Sequence, residues 1–272
     1  MILFGEYLNY IKAAASKNKV LEWRIKMNYI VCEKSKRPDL LDQVNELNKS
    51  AWPKFVEGEN VMRTYWGFIE DKFPDHQLLL IIDDKIAAVV NTAAFLWDKK
   101  DEQISDGGIY WGLKMIAHDY YSDIKPNTLM ALQVIINPIF RGMGLSYYCV
   151  KELIKFGKTK NYQRLVIPLR PSMKHRYPLI KTADYMEWTD EDNLPYDPWL
   201  RVHVKFGARL VKKCRGISVA GTKQQWEDWT GLKFLSPGDY VVPGGLNTVR
   251  YEPDEELIIY EQENVWAVHN LT

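Results

Sequence analysis

The stretch from Ala131 to Phe156 constrains this 272-residue chain more than any other. It reads ALQVIINP, then IFRGMGLS, then YYCVKELIKF. The first piece is apolar, β-branched and uncharged, as a strand buried on both faces must be. Pro138 ends it, because proline has no N–H to give to a ladder. The third piece places Leu145, Tyr148, Cys149, Glu152, Leu153 and Phe156 at helical spacing, with apolar residues along one side. Between them lies Arg141-Gly142-Met143-Gly144-Leu145-Ser146. A glycine-bearing turn that opens a helix leaves several backbone N–H groups pointing at one spot, beside the positive end of the helix dipole, and such a spot binds phosphate. The same turn also serves as a plain tight connection, and the turn alone supports both readings. No Gly-Lys-Ser/Thr follows, so it is not a P-loop. Gly-Met-Gly-Leu-Ser-Tyr lacks the third glycine of the dinucleotide fingerprint.

The flanking elements follow from periodicity and punctuation. Residues 1–20 read as a helix, and Trp23 to Val31 alternates like a strand. Pro38 and Asp39 open a helix over Leu40 to Asn48, and another runs from Val61 to Lys72, ending before Pro74. Gln77 to Ile82 and Ile86 to Leu96 form a strand pair around Asp83-Asp84. The segment from Trp97 to Lys125 is too long for a structureless loop and predicts a helix around Trp111 to His118 with a functional role. Beyond the central unit, Gln163 to Leu169 reads as a buried strand. Asp197 and Pro198 start a helix that Gly207 stops. Ala208 to Val219 is a strand, Thr222 caps a short helix closed by Gly231, Ser236 to Gly245 is a turn-rich loop, and Leu257 to Tyr260 and Val265 to Val268 end the chain as strands.

The length suits one large domain or two small ones, and the order of elements predicts an α/β (α+β) architecture. The division expected is an N-terminal helical extension over 1–22 and a single domain over 23–272. A net charge of +1 provides no field to recruit nucleic acid or an anionic membrane. Cys32, Cys149 and Cys214 lie far apart with no CxxC, which suits a reducing compartment and argues against a disulfide framework or a zinc site. Glu6 and Lys12 interrupt the apolar start, so it reads as neither a signal peptide nor a membrane span, and a cytoplasmic location is expected.

The strand–RGMGLS–helix unit resembles motif A of the GNAT superfamily of acyl-CoA acyltransferases, Gln/Arg-x-x-Gly-x-Gly/Ala after a strand ending in x-Pro. Arg141, Gly144 and Ser146 occupy its positions, with Ser146 departing from Gly/Ala. The resemblance implies the GNAT fold, with a central mixed, twisted sheet splayed between strands four and five and helices on both faces. It implies that the N–H groups from Gly142 through Met143, Gly144 and Leu145 to Ser146 hold the pyrophosphate of coenzyme A. It implies too that the main chain of Ile135 and Ile136 pairs with the pantetheine arm as an added strand would.

The tail resembles one branch of that superfamily. The strings RPSMKHRYP, LPYDPWLRVHVKFGARLV, WEDWTG and GDYVVPG are similar to those of GNAT-like loading modules of polyketide synthases and of free-standing relatives, over about Val61 to His269. In the loading modules a His on the helix after strand five and a Thr just beyond that strand serve malonyl decarboxylation. His203 matches the first, and Ser172 stands where the Thr would be. By the same resemblance, Trp66 and Arg215 match a pocket Trp and a pocket Arg. Read by themselves, His203 is a hydrogen-bonded structural histidine or a proton carrier near neutral pH, and Ser172 is a turn residue or a hydroxyl facing the acyl group. Tyr177 is an alternative acid or a packing residue. Arg170 and Lys174 bind a carboxylate or phosphates, or form a solvated basic edge. The resemblance implies an acyltransferase that moves an acetyl-type group from acetyl-CoA or another acyl-CoA to a small-molecule amine or a carrier-protein thiol, with no metal, nucleic acid or membrane partner. Malonyl-thioester decarboxylation and a non-catalytic acyl-CoA-binding module are the alternatives.

Overall fold

The computed structural model describes residues 28–272. The helix expected over 1–20, the boundary expected at residue 22 and most of the strand expected from Trp23 lie outside the described residues. Nine strands and the helices between them follow in order. The chain runs β1 (Ile30–Glu33), α1 (Leu41–Ala51), α2 (Val61–Lys72), β2 (Gln77–Ile82), β3 (Lys85–Phe95), α3 (Gly108–Tyr121) and β4 (Thr128–Ile136). It continues with α4 (Leu145–Thr159), β5 (Arg164–Leu169), α5 (Thr182–Tyr185), α6 (Pro198–Lys205) and β6 (Arg209–Gly221). It ends with α7 (Lys223–Thr230), β7 (Gly238–Tyr240), β8 (Val249–Tyr251) and β9 (Ile258–Asn270).

Seven strands form one sheet in the order β1-β2-β3-β4-β5-β9-β6. The first four pair antiparallel, β4 and β5 pair parallel, and β9 inserts antiparallel between β5 and β6. Every residue of β2 is buried, as its unbroken QLLLII run requires when both faces are covered. Alternate residues of β2, β4 and β9 point to opposite layers. Leu80, Leu129 and Ala267 pack with Cys149 and Leu153 of α4 and Leu200 of α6. Met130, Leu132 and Trp266 pack with Ile69 of α2 and Leu113 and Ile116 of α3, and Leu79 and Ile135 receive Val44 and Leu47 of α1. The β2–β3 hairpin turns on Asp83 (φ 47°) and Asp84 (φ 57°), both left-handed as a two-residue turn with right-handed twist demands.

The tail differs from its pattern in two ways. The final segment is one 13-residue strand rather than two pieces, because Gln262 and Asn264, polar in the sequence, point inward and are hydrogen-bonded there. The stretch expected as a loop after Ser236 carries the β7–β8 ribbon, which with α7 closes a third apolar cluster of Phe55, Trp226, Phe234, Tyr251 and Tyr260.

Because β9 is the neighbour of β5, the N-terminal part of the sheet has no finished edge without the C-terminal part. Residues 28–272 are therefore expected to unfold as one unit, and limited proteolysis should yield no stable, folded fragment ending near Pro195.

Candidate active site

The site begins with a break in the sheet. The β4–β5 ladder has only three rungs, Thr128↔Arg164, Leu129↔Leu165 and Met130↔Val166. At the same point the β3–β4 register shifts: Thr92 faces Ala131 and Asn91 faces Gln133, so Leu132 is the extra residue of a bulge. A bulge bends its strand and adds local twist. Pro168 on β5 lacks the N–H that could continue the ladder. From Ala131 to Ile136, β4 therefore leaves β5, and the gap opens into a cavity of about 910 Å³ lined by both strands.

The glycine turn sits at the end of this gap. Asn137 anchors it, its Oδ1 accepting from the Ile139 N–H at 3.1 Å and its Nδ2 donating to the Ile86 carbonyl at 2.8 Å. Gly142 (φ 82°) and Gly144 (φ 73°) are left-handed, and a Cβ on either would meet open space. Backbone conformation, not crowding, requires glycine there. The N–H groups of Gly142 and Gly144 find no backbone acceptor among the described residues. Those of Leu145 and Ser146 lie in the first turn of α4, where no intrahelical acceptor exists. Arg141, Ser146, Ile135 and Ile136 line the cavity. The Leu145 side chain is buried under β3 against Ile82 and Ala87, so only its backbone faces the turn.

The opposite wall comes from α1, α2 and the β6–β9 ribbon. Trp66 lines it, as do Asn45, Asn48, Trp52 and Arg63. Glu59, 4% exposed, also lines it. Its carboxylate accepts from the N–H groups of Val61 (2.9 Å) and Met62 (2.8 Å), capping α2, and from the Tyr110 hydroxyl at 2.7 Å. Tyr110 Oη in turn accepts from the Ser218 N–H at 2.7 Å, tying α2, α3 and β6 together. Burial and the Glu59 carboxylate both push the Tyr110 phenol up, so it stays protonated. Glu70, at the rim, pairs with Lys34. Sequence reasoning passed over Glu59, which sits in an undistinguished loop; its one signal was an acidic residue two positions before a helix start.

The remaining sequence-derived candidates divide. Ser172 and Arg170 line the cavity. Ser172 Oγ donates to Asp197 Oδ1 at 3.1 Å. Asp197, 1% exposed, also accepts from the N–H groups of Met173, Trp199 and Leu200 and from the Tyr185 hydroxyl, so it fixes the segment after β5 to the start of α6. His203 is fully buried and absent from the cavity wall; Trp199, which does line the cavity, packs edge-on against its ring at 4.5 Å between centroids. His203 Nδ1 lies 2.9 Å from His269 Nε2, and its own Nε2 has no hydrogen-bond partner among the described residues. The structure thus does not bring His203 and Ser172 together on the cavity. Trp199 and His203, four residues apart, share one face of the eight-residue α6, and of the two only Trp199, at the helix start, reaches the cavity wall. Tyr177 is also off the wall, its hydroxyl 3.0 Å from that of Tyr196 in a cluster with Tyr185 and Trp188. Arg215 is exposed and pairs with Glu261 at 3.0 Å, away from the cavity, so it is not a pocket arginine here. Lys174 is buried behind the wall, donating to the carbonyls of Tyr177 and Leu246.

No protein-family model matches the chain. It is 28% identical to an arginine N-acetyltransferase of Aspergillus versicolor, over 86% of this chain and 91% of that protein. Its structure is similar to the loading GNAT-like domain of CurA from Lyngbya majuscula, with a TM-score of 0.57 and 15% identity over 90% of this chain and 98% of that one. It is similar also to the GphF GNAT-like decarboxylase in complex with isobutyryl-CoA, with a TM-score of 0.52 and 14% identity over 90% and 100% of the two chains. Among the described residues no helix is long and apolar enough to cross a membrane.

The buried histidine pair carries a pH dependence. Burial pulls His203 well below its ordinary range, with the neighbouring His269 adding to it, and pulls His269 down to about 4. Unfolded, both titrate near the usual value of about 6.5. Below that pH the unfolded chain takes up protons that the folded chain refuses, so stability present at pH 7 is lost as pH falls toward 4. Thermal unfolding followed from pH 7 to pH 4.5 should show this loss, and His269→Gln, which keeps a polar side chain but cannot titrate, should reduce it.

Proposed function

We propose that this chain, which has the GNAT fold, is an acyl-CoA-dependent N-acyltransferase that moves an acetyl-type group to an amine. One observation carries the reading. β4 separates from β5 after Met130, and the freed strand leads straight into a turn whose N–H groups converge beside the start of α4. The unpaired edge of Ala131 to Ile136 suits the amides of pantetheine. The N–H groups of Gly142, Gly144, Leu145 and Ser146, the α4 dipole and the Arg141 side chain suit the pyrophosphate, while the Met143 N–H is taken by the Phe140 carbonyl. The thioester then lies in the gap between β4 and β5.

The acceptor enters from the wall of α1, α2 and β6. Glu59 is the buried carboxylate on that wall, and it makes no ion pair with a described residue. An ammonium there is attracted to Glu59 and gives it a proton. The free amine attacks the thioester carbonyl, the C–N bond forms, the C–S bond breaks, and the proton the nitrogen then loses goes to the departing sulfur, so that coenzyme A leaves as the thiol. The curated relative's acceptor, arginine, is a cationic amine and supports this class of substrate. Proton handling by His203 would require its ring to reach the cavity past Trp199, and malonyl decarboxylation by His203 and Ser172 would require the same. The wall as built favours transfer.

Two measurements test this. Glu59→Gln preserves an acceptor for the α2 cap and removes the base. It should lower turnover about 10²- to 10⁴-fold while leaving acetyl-CoA affinity unchanged by calorimetry, whereas His203→Gln should act on stability more than on turnover. Gly144→Val places a β-branched residue at a left-handed position. It should weaken acetyl-CoA binding sharply in a folded protein, and unchanged affinity would rule out the turn as the pyrophosphate site.

A further inference from the structure

Arg170 directly follows β5 and lines the cavity, yet its guanidinium meets no carboxylate among the described residues. Nε donates to Gln262 Oε1 at 3.0 Å, and Nη2 donates to the Gly244 carbonyl at 2.6 Å. A guanidinium has five N–H donors, so three remain. The group is held in place from behind. Gln262 Nε2 donates to Asn264 Oδ1 at 2.9 Å, and Asn264 Nδ2 donates to the Pro168 carbonyl at 2.9 Å. Both amides are buried, and both face the cavity. Gly216 on β6 makes room for them: a Cβ there would lie 2.8 Å from Asn264 Oδ1 and 2.9 Å from Gln262 Nε2. Asp197, the nearest buried acid, spends both oxygens on Ser172, Tyr185 and three backbone N–H groups.

Arg170, a cation of this cavity with no ion pair to a described residue, and Glu59, the cavity's buried anion, are linked through one stretch of sheet. Glu59 is tied through Tyr110 to Ser218. Ser218 faces Glu261 across the β6–β9 ladder, and Gln262, which orients Arg170, is the next residue. A ligand that carries both charges satisfies both walls. We propose that the acceptor is a free amino acid whose carboxylate is bound by Arg170, so that the enzyme discriminates against the decarboxylated amine of the same side chain. The proposal rests on the N-acyltransferase reading and adds the carboxylate requirement to it. Planar, two-pronged recognition of a carboxylate is what a guanidinium does best, and lysine does not reproduce it.

The test uses matched pairs of acceptors with acetyl-CoA: arginine and agmatine, lysine and cadaverine, histidine and histamine. The wild-type chain should favour the amino acid of the productive pair by about 10- to 100-fold in kcat/KM, the range for losing a hydrogen-bonded charge contact. Arg170→Gln should lose a similar factor for the amino acid, mainly through KM, and leave the amine and acetyl-CoA affinity nearly unchanged. Arg170→Lys should recover only part. Equal use of both members of the pair by the wild-type chain would overturn the carboxylate site while leaving the acyltransferase reading in place, and it needs no variant to fold. Transfer to no member of any pair would remove that reading and this one together. If Arg170→Gln weakens malonyl-CoA binding but spares KM for the amino acid, the carboxylate belongs to the acyl group, and the acceptor site is refuted.

Discussion

The cavity of this molecule depends on the parting of β4 from β5. Two parallel strands in a covered sheet ordinarily pair along their whole length, because each unmade rung leaves buried N–H and C=O groups without partners. Here pairing stops after Met130↔Val166 although both strands continue. Three local causes act together. Leu132 bulges against β3, Pro168 cannot donate, and β5 is held on its other side by six rungs to β9. β5 thus follows β9 while β4 follows β3. The polar edge left over faces a cavity, where a ligand's amides can complete it.

Much of this was legible in the chain because its causes are local. The apolar run into Pro138, the glycines at 142 and 144 and the amphipathic stripe from Leu145 specify a strand, a left-handed turn and a helix by steric rules alone. α2 has the bounds its pattern predicts, Val61 to Lys72, and Asp197 caps α6 as expected. Thr222 and Gln225 form a reciprocal cap and Gly231 closes α7 in the left-handed conformation, again from side chains that act within a few residues.

The parts that were not legible depend on distant contacts. His203 sits where its motif places it along the chain, but which way it faces is decided by Trp199 and by His269, 66 residues away on β9. Arg215 looks like a pocket residue by position and is turned out by the β6 bulge and by Glu261. Glu59 carries no motif; only the meeting of α2, α3 and β6 makes a buried, tethered carboxylate of it. The sequence pattern predicts two pieces where β9 is one 13-residue strand, because polar Gln262 and Asn264 interrupt its apolar run, and those two residues are the ones of β9 that face the cavity. Local patterning fails there because the site needs polar groups where a core would not.

That failure has an energetic logic. A charge removed from water costs several kcal/mol unless an opposite charge or a set of hydrogen bonds compensates it. Glu59 is compensated by two backbone N–H groups and a phenol, Arg170 by an amide oxygen and a carbonyl; in each case the partners are neutral and belong to rigid elements. Neutral partners leave most of the charge's field intact, whereas a direct ion pair would cancel it. The fold therefore holds two opposite charges apart, one just before α2 and one just after β5, each fixed in direction and neither paired with an opposite charge among the described residues. In water such an arrangement is worth little. Inside a cleft that a bound acyl-CoA would help to close, the effective dielectric falls, and the same charges act on whatever enters with greater strength. On the acyltransferase reading, binding of the donor would thus prepare the electrostatics for the acceptor without any charged group having to move.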